Sequence, residues 1–198
     1  MNEIVRATAL ALCALLPTAC SAPAGAPSHP PLEGARIGGP FSLVDQNGHA
    51  VTDRSFPGKY RIVYFGYTFC PDVCPTEAQH IGAGLRIVEQ ADPAVGAKIV
   101  PLFITVDPAR DTPAVLRAFT AAFHPRMVGL TGNPAAIAAA AKAYAVYYRK
   151  GEVSAGGGYM MDHSSTVYLM DPAGKPLALL PAEKSPQDVA DELQRWVK

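Results

Sequence analysis

Two closely spaced cysteines carry the most distinctive chemistry in this sequence. They lie in the segment Cys70-Pro71-Asp72-Val73-Cys74-Pro75. A thiolate is a nucleophile, a redox partner and a ligand for soft metals, so the pair predicts either reversible disulfide chemistry or metal binding by the reduced form. A purely structural disulfide is the weaker interpretation, because closing so short a loop restricts the unfolded chain little.

The neighbouring sequence places this pair between a buried strand and a helix. Residues 61–67 form a nearly unbroken β-branched and aromatic run, which is typical of a central strand covered on both faces. After the pair, apolar residues recur at helical spacing, at Ala78, Ile81, Leu85 and Val88. Because α/β proteins place reactive groups outside the carboxyl ends of their strands, this position favours a functional site.

Two prolines set the expected conformation of the cysteine segment. Each cysteine precedes a proline, which disfavours the right-handed helical conformation, so both cysteines are expected in the loop and Pro75 is expected to begin the helix. Cys74 would then lie at or beside the N-cap, where exposed N–H groups and the helix dipole stabilise a thiolate. The sequence therefore supports a thiolate at Cys74 better than one at Cys70.

The rest of the chain continues an alternation of strands and helices. A hairpin is predicted at residues 41–52, and strands are predicted at 99–106, 127–130, 166–170 and 177–180. Helices are predicted at 111–123, at 133–144 and from 185 onwards, each with a proline at its start, and a Gly-rich segment at 152–161 is predicted to be irregular. This order predicts an α/β protein, a thioredoxin-like three-layer α/β/α sandwich with an added N-terminal β-hairpin. Gly82 and Gly84 each cost the first long helix about 1 kcal/mol relative to Ala, for no reason visible in the sequence.

The N-terminal residues predict export. Residues 1–6 carry one Arg, and residues 7–16 are apolar but too few to span a bilayer as a helix. Residues 1–19 are therefore predicted to be a signal peptide of lipoprotein type. Residues 20–39 are predicted to be a flexible Pro/Ala/Gly linker, and residues 40–198 one folded domain.

The end of the apolar run resembles a bacterial lipobox, Leu16-Pro17-Thr18-Ala19-Cys20. Cys20 is the predicted lipidation site, although Pro17 holds the position where a Leu-like residue is usual. The alternative is ordinary cleavage nearby, after Ala22 or Ala24, which would release a soluble periplasmic protein.

Composition and charge exclude one class of function. Of the 198 residues, 49% are hydrophobic, which is enough for one compact core, and 17 Lys and Arg balance 17 Asp and Glu. No run of like charge suits a phosphate backbone, so a nucleic-acid partner is not expected.

Three segments of the chain resemble the Sco/SenC family of the thioredoxin superfamily, and the resemblance extends from about Phe41 to the C-terminus. The segments are Tyr64-Phe65-Gly66-Tyr67-Thr68-Phe69-Cys70-Pro71-Asp72-Val73-Cys74-Pro75, Thr105-Val106-Asp107-Pro108-Ala109-Arg110-Asp111-Thr112-Pro113 and Asp162-His163-Ser164-Ser165. Because the first motif is highly specific and all three occur in the expected order, coincidence is a poor explanation.

The resemblance implies that Cys70, Cys74 and His163 bind copper, which makes residues 40–198 a copper-binding domain. Two thiolates and one imidazole form a soft, low-coordinate set that suits Cu(I), and the same set would hold Cu(II) better than other divalent metals. Zinc normally requires a fourth ligand. Met160 and Met161 adjoin the histidine, which raises the alternative of a thioether ligand, but methionines beside a strand more often pack, so both are assigned to packing.

Carboxylates near these segments are candidates for supporting roles. Asp72 and Asp107 would orient ligands or face a partner, since carboxylates commonly fix a ligating imidazole. Asp111 is predicted to cap the following helix.

The function implied by the resemblance is that of a copper metallochaperone. It would serve the dinuclear copper site of cytochrome c oxidase by delivering copper, by reducing that site's cysteines, or by both. The implied partners are the copper-site subunit of the oxidase and, as further candidates, another periplasmic copper chaperone and a thioredoxin-like reductant. The implied location is the periplasmic face of a bacterial inner membrane, reached through a lipid anchor.

Two other functions remain open at this point. One is a periplasmic thiol-disulfide oxidoreductase in which Cys70 and Cys74 act as nucleophile and resolving thiol without copper. The other is a copper or redox sensor. His163 discriminates between them and the metallochaperone, because a simple dithiol reductase does not need an imidazole there. A peroxidase is a poorer interpretation, since it rests on the fold alone.

Overall fold

The computed structural model describes residues 28–198, so the predicted signal peptide, residues 1–19, and the predicted lipidation site Cys20 lie outside the described residues. The strands are β1 (Ser42–Asp45), β2 (Ala50–Thr52), β3 (Tyr60–Gly66), β4 (Ile99–Thr105), β5 (Val128–Thr131), β6 (Tyr148–Lys150), β7 (Met161–His163), β8 (Val167–Met170) and β9 (Pro176–Leu179). The helices are α1 (Val73–Ala91), α2 (Pro93–Ala97), α3 (Pro113–Phe123), α4 (Pro134–Ala143) and α5 (Pro186–Trp196).

Seven of these strands form one mixed sheet, in the order β2-β1-β5-β4-β3-β8-β9. Strand β3 runs parallel to β4 and antiparallel to β8, and its last residue, Gly66, lies opposite Thr105 at the end of β4. The carboxyl ends of β3 and β4 therefore meet at one edge of the sheet, as parallel strands require. The segments that follow these two strands emerge side by side.

Helices cover both faces of the sheet. One face packs against α1, α3 and α5 through a cluster that includes Ile81, Leu85, Leu116, Val189 and Leu193. The other face packs against α4 through a cluster that includes Leu43, Val51, Ile137, Ala140 and Ala141, the first two of which belong to the β1–β2 hairpin at one edge of the sheet. These are the predicted three layers with an N-terminal hairpin, because each helix buries one apolar stripe against the sheet.

Three of the helices begin where the local sequence predicts. Thr112, Asn133 and Ser185 each accept a hydrogen bond from a backbone N–H in the first turn of the helix that follows, and each precedes a proline. A side-chain acceptor at the N-cap satisfies an otherwise unpaired amide, and proline at the first helical position has no N–H to satisfy. The starts of α3, α4 and α5 therefore follow from local chemistry alone.

The structure differs from the sequence-based expectation in the segment before β8. Residues 152–160 are irregular, as predicted, but they are flanked by two strands that were not predicted, β6 and β7, which pair in a separate antiparallel ribbon. His163 lies in this ribbon opposite Tyr148. Both strands have three residues, too few to show an alternating apolar pattern, so their pairing is a tertiary effect.

Part of the predicted linker packs on the domain. Leu32 donates its backbone N–H to Leu177 at 3.0 Å, and Gly38 donates to Ala143 at 2.9 Å. The side chains of Leu32 and Ile37 also lie against the core. Residues 32–39 therefore belong to the folded unit rather than to a free tether, because the apolar side chains of Leu32 and Ile37 pack against the hydrophobic core. Among residues 28–198, no helix is both long and apolar enough to cross a membrane.

Candidate metal centre

The cysteine segment joins the end of β3 to the start of α1. Helix α1 begins at Val73, with Asp72 as its N-cap, so the predicted start at Pro75 is two residues too late. The Asp72 side chain makes no capping hydrogen bond. Instead, the sulfur of Cys70 accepts the backbone N–H of Cys74 at 3.4 Å. A thiol sulfur thus takes the place of the usual oxygen cap at the positive end of the helix.

The acidity of the two cysteines is the reverse of the sequence-based prediction. Partial burial raises the pKa of Cys70, but the backbone N–H groups of Cys74 and Asp72 outweigh it and lower the pKa below its ordinary value. Burial raises the pKa of Cys74 to about 12, against a smaller lowering effect of the Tyr67 amide. Cys74 lies in the first turn of α1 and has no exposed surface. The stabilised thiolate is therefore at Cys70, and both residues are free thiols.

His163 reaches the cysteines from the β6–β7 ribbon. Its Nε2 atom lies 3.3 Å from the Cys74 sulfur, and its Nδ1 atom lies 3.1 Å from the carbonyl oxygen of Ser164. The edge of the imidazole faces the Tyr67 ring at a centroid distance of 5.9 Å. A proton on Nδ1 that is donated to Ser164 leaves a lone pair on Nε2, directed at the cysteine.

The structure brings the three sequence-predicted ligand residues to one place. Cys74 and His163 are in direct contact, and the Cys70 sulfur is coupled to them through the Cys74 amide. In the part of the chain that the structure describes, no group of three or more His, Cys, Asp or Glu side chains is placed so that it could hold a metal ion. The arrangement is therefore a half-formed, open set of soft donors, unlike the closed four-ligand cages of structural zinc sites.

Three residues of β3 and its continuation form the wall behind the sulfurs. A Cβ atom on Gly66 would lie 2.9 Å from the Phe103 ring and 3.2 Å from the Cys74 sulfur, so this position has no room for a side chain. Burial, together with the neighbouring Cys74 and Glu77, raises the pKa of the Tyr64 hydroxyl above its ordinary value. Burial also raises the pKa of Tyr67, so its hydroxyl stays protonated as a donor.

Asp111 has a different role from the predicted helix cap. Thr112 caps α3, whereas the buried carboxylate of Asp111 accepts hydrogen bonds from the Thr68 amide, the Thr68 hydroxyl and the Thr105 hydroxyl at 3.0, 2.6 and 2.6 Å. Burial raises the pKa of Asp111, and these hydrogen bonds oppose that effect. Asp111 therefore fastens the cysteine loop to the end of β4.

The two carboxylates predicted to support the site lie beside it. Asp72 is exposed and makes no side-chain cap. Asp107 is buried, forms an ion pair with Arg110 and accepts the Tyr159 hydroxyl at 2.9 Å. The Asp107 carboxylate therefore holds Tyr159, which lies four residues before His163, and does not bond the imidazole itself.

Two further residues that the sequence analysis did not single out hold the histidine segment in place. Arg110 donates to the Tyr159 carbonyl oxygen at 2.9 Å, and its guanidinium lies 3.7 Å from the Tyr159 ring centre and 4.8 Å from that of Phe69. The buried Glu77 of α1 accepts the Ser165 hydroxyl at 2.6 Å. Both contacts join residues far apart in the chain, so no local pattern could reveal them.

Comparison with known proteins gives consistent results. The family model described as SCO1/SenC matches residues 29–198. Protein SenC of Rhodobacter capsulatus is 43% identical over 162 residues, which are 80% of this chain and 70% of the relative. Protein SCO1 homolog 1, mitochondrial, of Arabidopsis thaliana is 44% identical over 138 residues, which are 70% of this chain but only 40% of the relative.

A solved structure has the same fold. ScoI of Bradyrhizobium japonicum with copper bound is 43% identical and superposes with a TM-score of 0.72, covering 81% of this chain and 99% of that chain. The thioredoxin-like layering expected from the sequence is therefore that of a known structure at substantial sequence identity.

Proposed function

The chain belongs to the SCO1/SenC family, and on that premise we propose that it is a copper metallochaperone for the dinuclear copper site of cytochrome c oxidase. The observation that carries the proposal is the 3.3 Å contact between the Cys74 sulfur and the Nε2 atom of His163, with the Cys70 sulfur next to them. A disulfide exchange site needs two sulfurs, whereas an imidazole at this distance adds a third soft donor.

Copper is the cargo of this site, and the donor set suits it. Cys70, Cys74 and His163 supply two sulfurs and one nitrogen, which favours Cu(I) and also accepts Cu(II). Binding through the thiols requires the loss of their protons, so loading releases protons. The free-energy cost of removing the thiol proton is larger at Cys74, because burial raises the pKa of Cys74 to about 12. A metal that stabilises the Cys74 thiolate offsets that cost.

The surface around the site supports transfer to another protein. Phe69 and Val73, which immediately precede Cys70 and Cys74, are 50% and 45% exposed. Exposed apolar side chains at a functional site are typical of a docking surface. The proposed partner is the copper-site subunit of the oxidase, and another periplasmic copper chaperone is the proposed source of the metal.

A second function is favoured by the unequal exposure of the cysteines. Cys70 is partly exposed and accepts an amide N–H, whereas Cys74 is buried behind it. The Cys70 thiolate would attack a client disulfide, and Cys74 would then displace the client, leaving a Cys70–Cys74 disulfide and two reduced client thiols. This two-electron step would reduce the cysteines of the oxidase copper site, and a thioredoxin-like reductant would restore the pair.

The proposed location is the periplasmic face of the bacterial inner membrane, with Cys20 lipidated. The support is the sequence of residues 1–20, which combines a short apolar run with a lipobox-like end. Mass spectrometry of the mature N-terminus tests it, because an acylated Cys20 and a chain cut after Ala22 or Ala24 differ in mass.

Replacement of His163 tests the metal function. We expect the reduced protein to bind one Cu(I) and His163→Ala to weaken this binding by about 10–100-fold, while thiol-disulfide exchange slows far less. Competition with a chromogenic Cu(I) chelator gives the affinity. His49→Ala is the matched control, because this exposed turn histidine lies outside the site. Unchanged copper affinity in His163→Ala would refute the metallochaperone proposal and leave the reductase.

A further inference from the structure

Met160 is an exposed apolar residue at the edge of the cysteine and histidine site. Its side chain is 48% exposed, whereas the next residue, Met161, packs against the hydrophobic core. The sequence analysis assigned both methionines to packing, but only Met161 has that role. Exposing a large apolar side chain forgoes the free energy of burial, so Met160 has no packing reason for its position.

The backbone on either side of Met160 is firmly held. Tyr159 is fixed at three points, through its carbonyl oxygen, its ring and its hydroxyl, by Arg110 and Asp107. The carbonyl oxygen of Met160 itself accepts the Gly151 N–H at 2.8 Å. Although a Gly-rich stretch precedes it, Met160 is therefore presented from an anchored segment.

A hydrogen bond directs the Met160 sulfur toward the site. The hydroxyl of Tyr67 donates to the Met160 Sδ atom at 3.7 Å. The ring of Tyr67 is buried and packs edge-on against His163. The same hydroxyl neighbours the thiols of Cys70 and Cys74, whose negative charge adds to the effect of burial in raising the pKa of Tyr67. The Met160 sulfur is thus held beside the ring that packs against His163.

A thioether in this position complements the thiols chemically. Its sulfur is soft and polarisable, so it binds Cu(I), but it is neutral and a weaker ligand than a thiolate. It also carries no proton, so copper binds it without proton release. The buried thiol of Cys74, by contrast, must lose its proton first.

We propose that Met160 is an exchangeable copper ligand at the mouth of the site, which binds Cu(I) as the metal passes between a partner and the Cys70, Cys74 and His163 set. This inference rests on the proposed copper function. The exchange transfers no electrons: the thioether lone pair binds the incoming Cu(I) as a donor ligand of the partner leaves, and the sulfur is released unchanged when the thiolates take over.

The test is the kinetics of copper transfer in Met160→Leu, a substitution that keeps the volume and removes the sulfur. Stopped-flow mixing of reduced protein with Cu(I) bicinchoninate measures loading, and mixing of loaded protein with excess bicinchoninate measures release. We expect both rates to fall about tenfold with the affinity unchanged, because a transient ligand acts equally on both directions. Met161→Leu is the matched control and should retain the wild-type rates.

A second variant separates this role from a general disturbance of the site. Tyr67→Phe removes the hydroxyl that holds the sulfur, so it should slow loading in the wild-type background and add nothing in the Met160→Leu background. Wild-type rates in Met160→Leu, or a loss of affinity without slower loading, would overturn the inference. If the wild-type protein takes up no Cu(I) at all, the proposed function fails instead.

Discussion

At the scale of single residues, the two cysteines differ in exposure and acidity although they are four residues apart. Cys70 sits at the surface end of the loop and receives N–H groups, while Cys74 lies in the first turn of α1 with its sulfur in the core. A helix N-terminus favours a thiolate only at the sulfur that its amides point to. Here that sulfur belongs to the residue before the helix.

This difference predicts selective alkylation. In the reduced protein, iodoacetamide should modify Cys70 at least about tenfold faster than Cys74, because the thiolate is the reactive form and Cys70 is both more acidic and more exposed. The rate at Cys70 should also reach its plateau at a lower pH than that of an ordinary cysteine. Peptide mass mapping measures the extent of modification at each cysteine separately. Faster labelling of Cys74 would contradict the assignment.

At the scale of secondary structure elements, α1 is positioned by its glycines as well as by its apolar face. A Cβ atom on Gly82 would lie 2.5 Å from the carbonyl oxygen of Phe123, and one on Gly84 would lie 2.8 Å from that of Pro186. These two glycines, which only weaken an isolated helix, therefore allow α1 to approach the end of α3 and the start of α5. The close approach fixes the helix that carries Cys74.

Gly82→Ala should accordingly destabilise the protein. Alanine improves helix propensity by about 1 kcal/mol, but the clash is with main-chain atoms that cannot turn aside, so we expect a net loss of about 1–3 kcal/mol in the free energy of unfolding. The midpoint of urea unfolding measures the loss. Gly156→Ala is the control, because no described residue other than its chain neighbours would lie within 4 Å of a Cβ atom there. A stabilised Gly82→Ala protein would show that helix propensity outweighs packing.

At the scale of the whole molecule, a charged cluster far from the cysteines joins several elements. Arg126 bonds Glu89 of α1 and the carbonyl oxygens of Gly96 and Ile99, at 2.9 and 2.7 Å, and the buried His124 lies 3.3 Å from Glu89. Partial burial raises the pKa of Glu89, but Arg126 and His124 outweigh it and lower the pKa. Burial lowers the pKa of His124 despite the opposing charge of Glu89.

Both shifts predict that stability declines as the pH falls. His124 has a lower pKa in the folded than in the unfolded protein, so unfolding takes up a proton and stability begins to fall below the unfolded value of about 6.5. Glu89 adds a further decline below its unfolded pKa of about 4.3. Urea midpoints at about pH 7.5 and about pH 5.5 should differ less in His124→Gln than in the wild-type protein. An equal difference in both proteins would exclude His124 as a cause.

The sequence alone determined the order of all elements except α2, β6 and β7, together with the three-layer class and the position of the cysteine pair at a strand end. These follow from periodicity and from proline and capping residues, which act over a few neighbouring positions. The motifs also pointed to His163, although only through resemblance to a family. The starts of α3, α4 and α5 agree with prediction for the same local reason.

Only the tertiary structure decided which cysteine is acidic and how the histidine reaches it. Thiol acidity depends on burial and on which amide points at which sulfur, and the prolines at residues 71 and 75 carry neither kind of information. The β6–β7 ribbon, the bonds between Thr68 and Asp111 and the Tyr67–Met160 contact likewise join residues 11 to 93 positions apart. Such contacts are determined by packing between elements that are distant in the chain, so local sequence patterns cannot predict them.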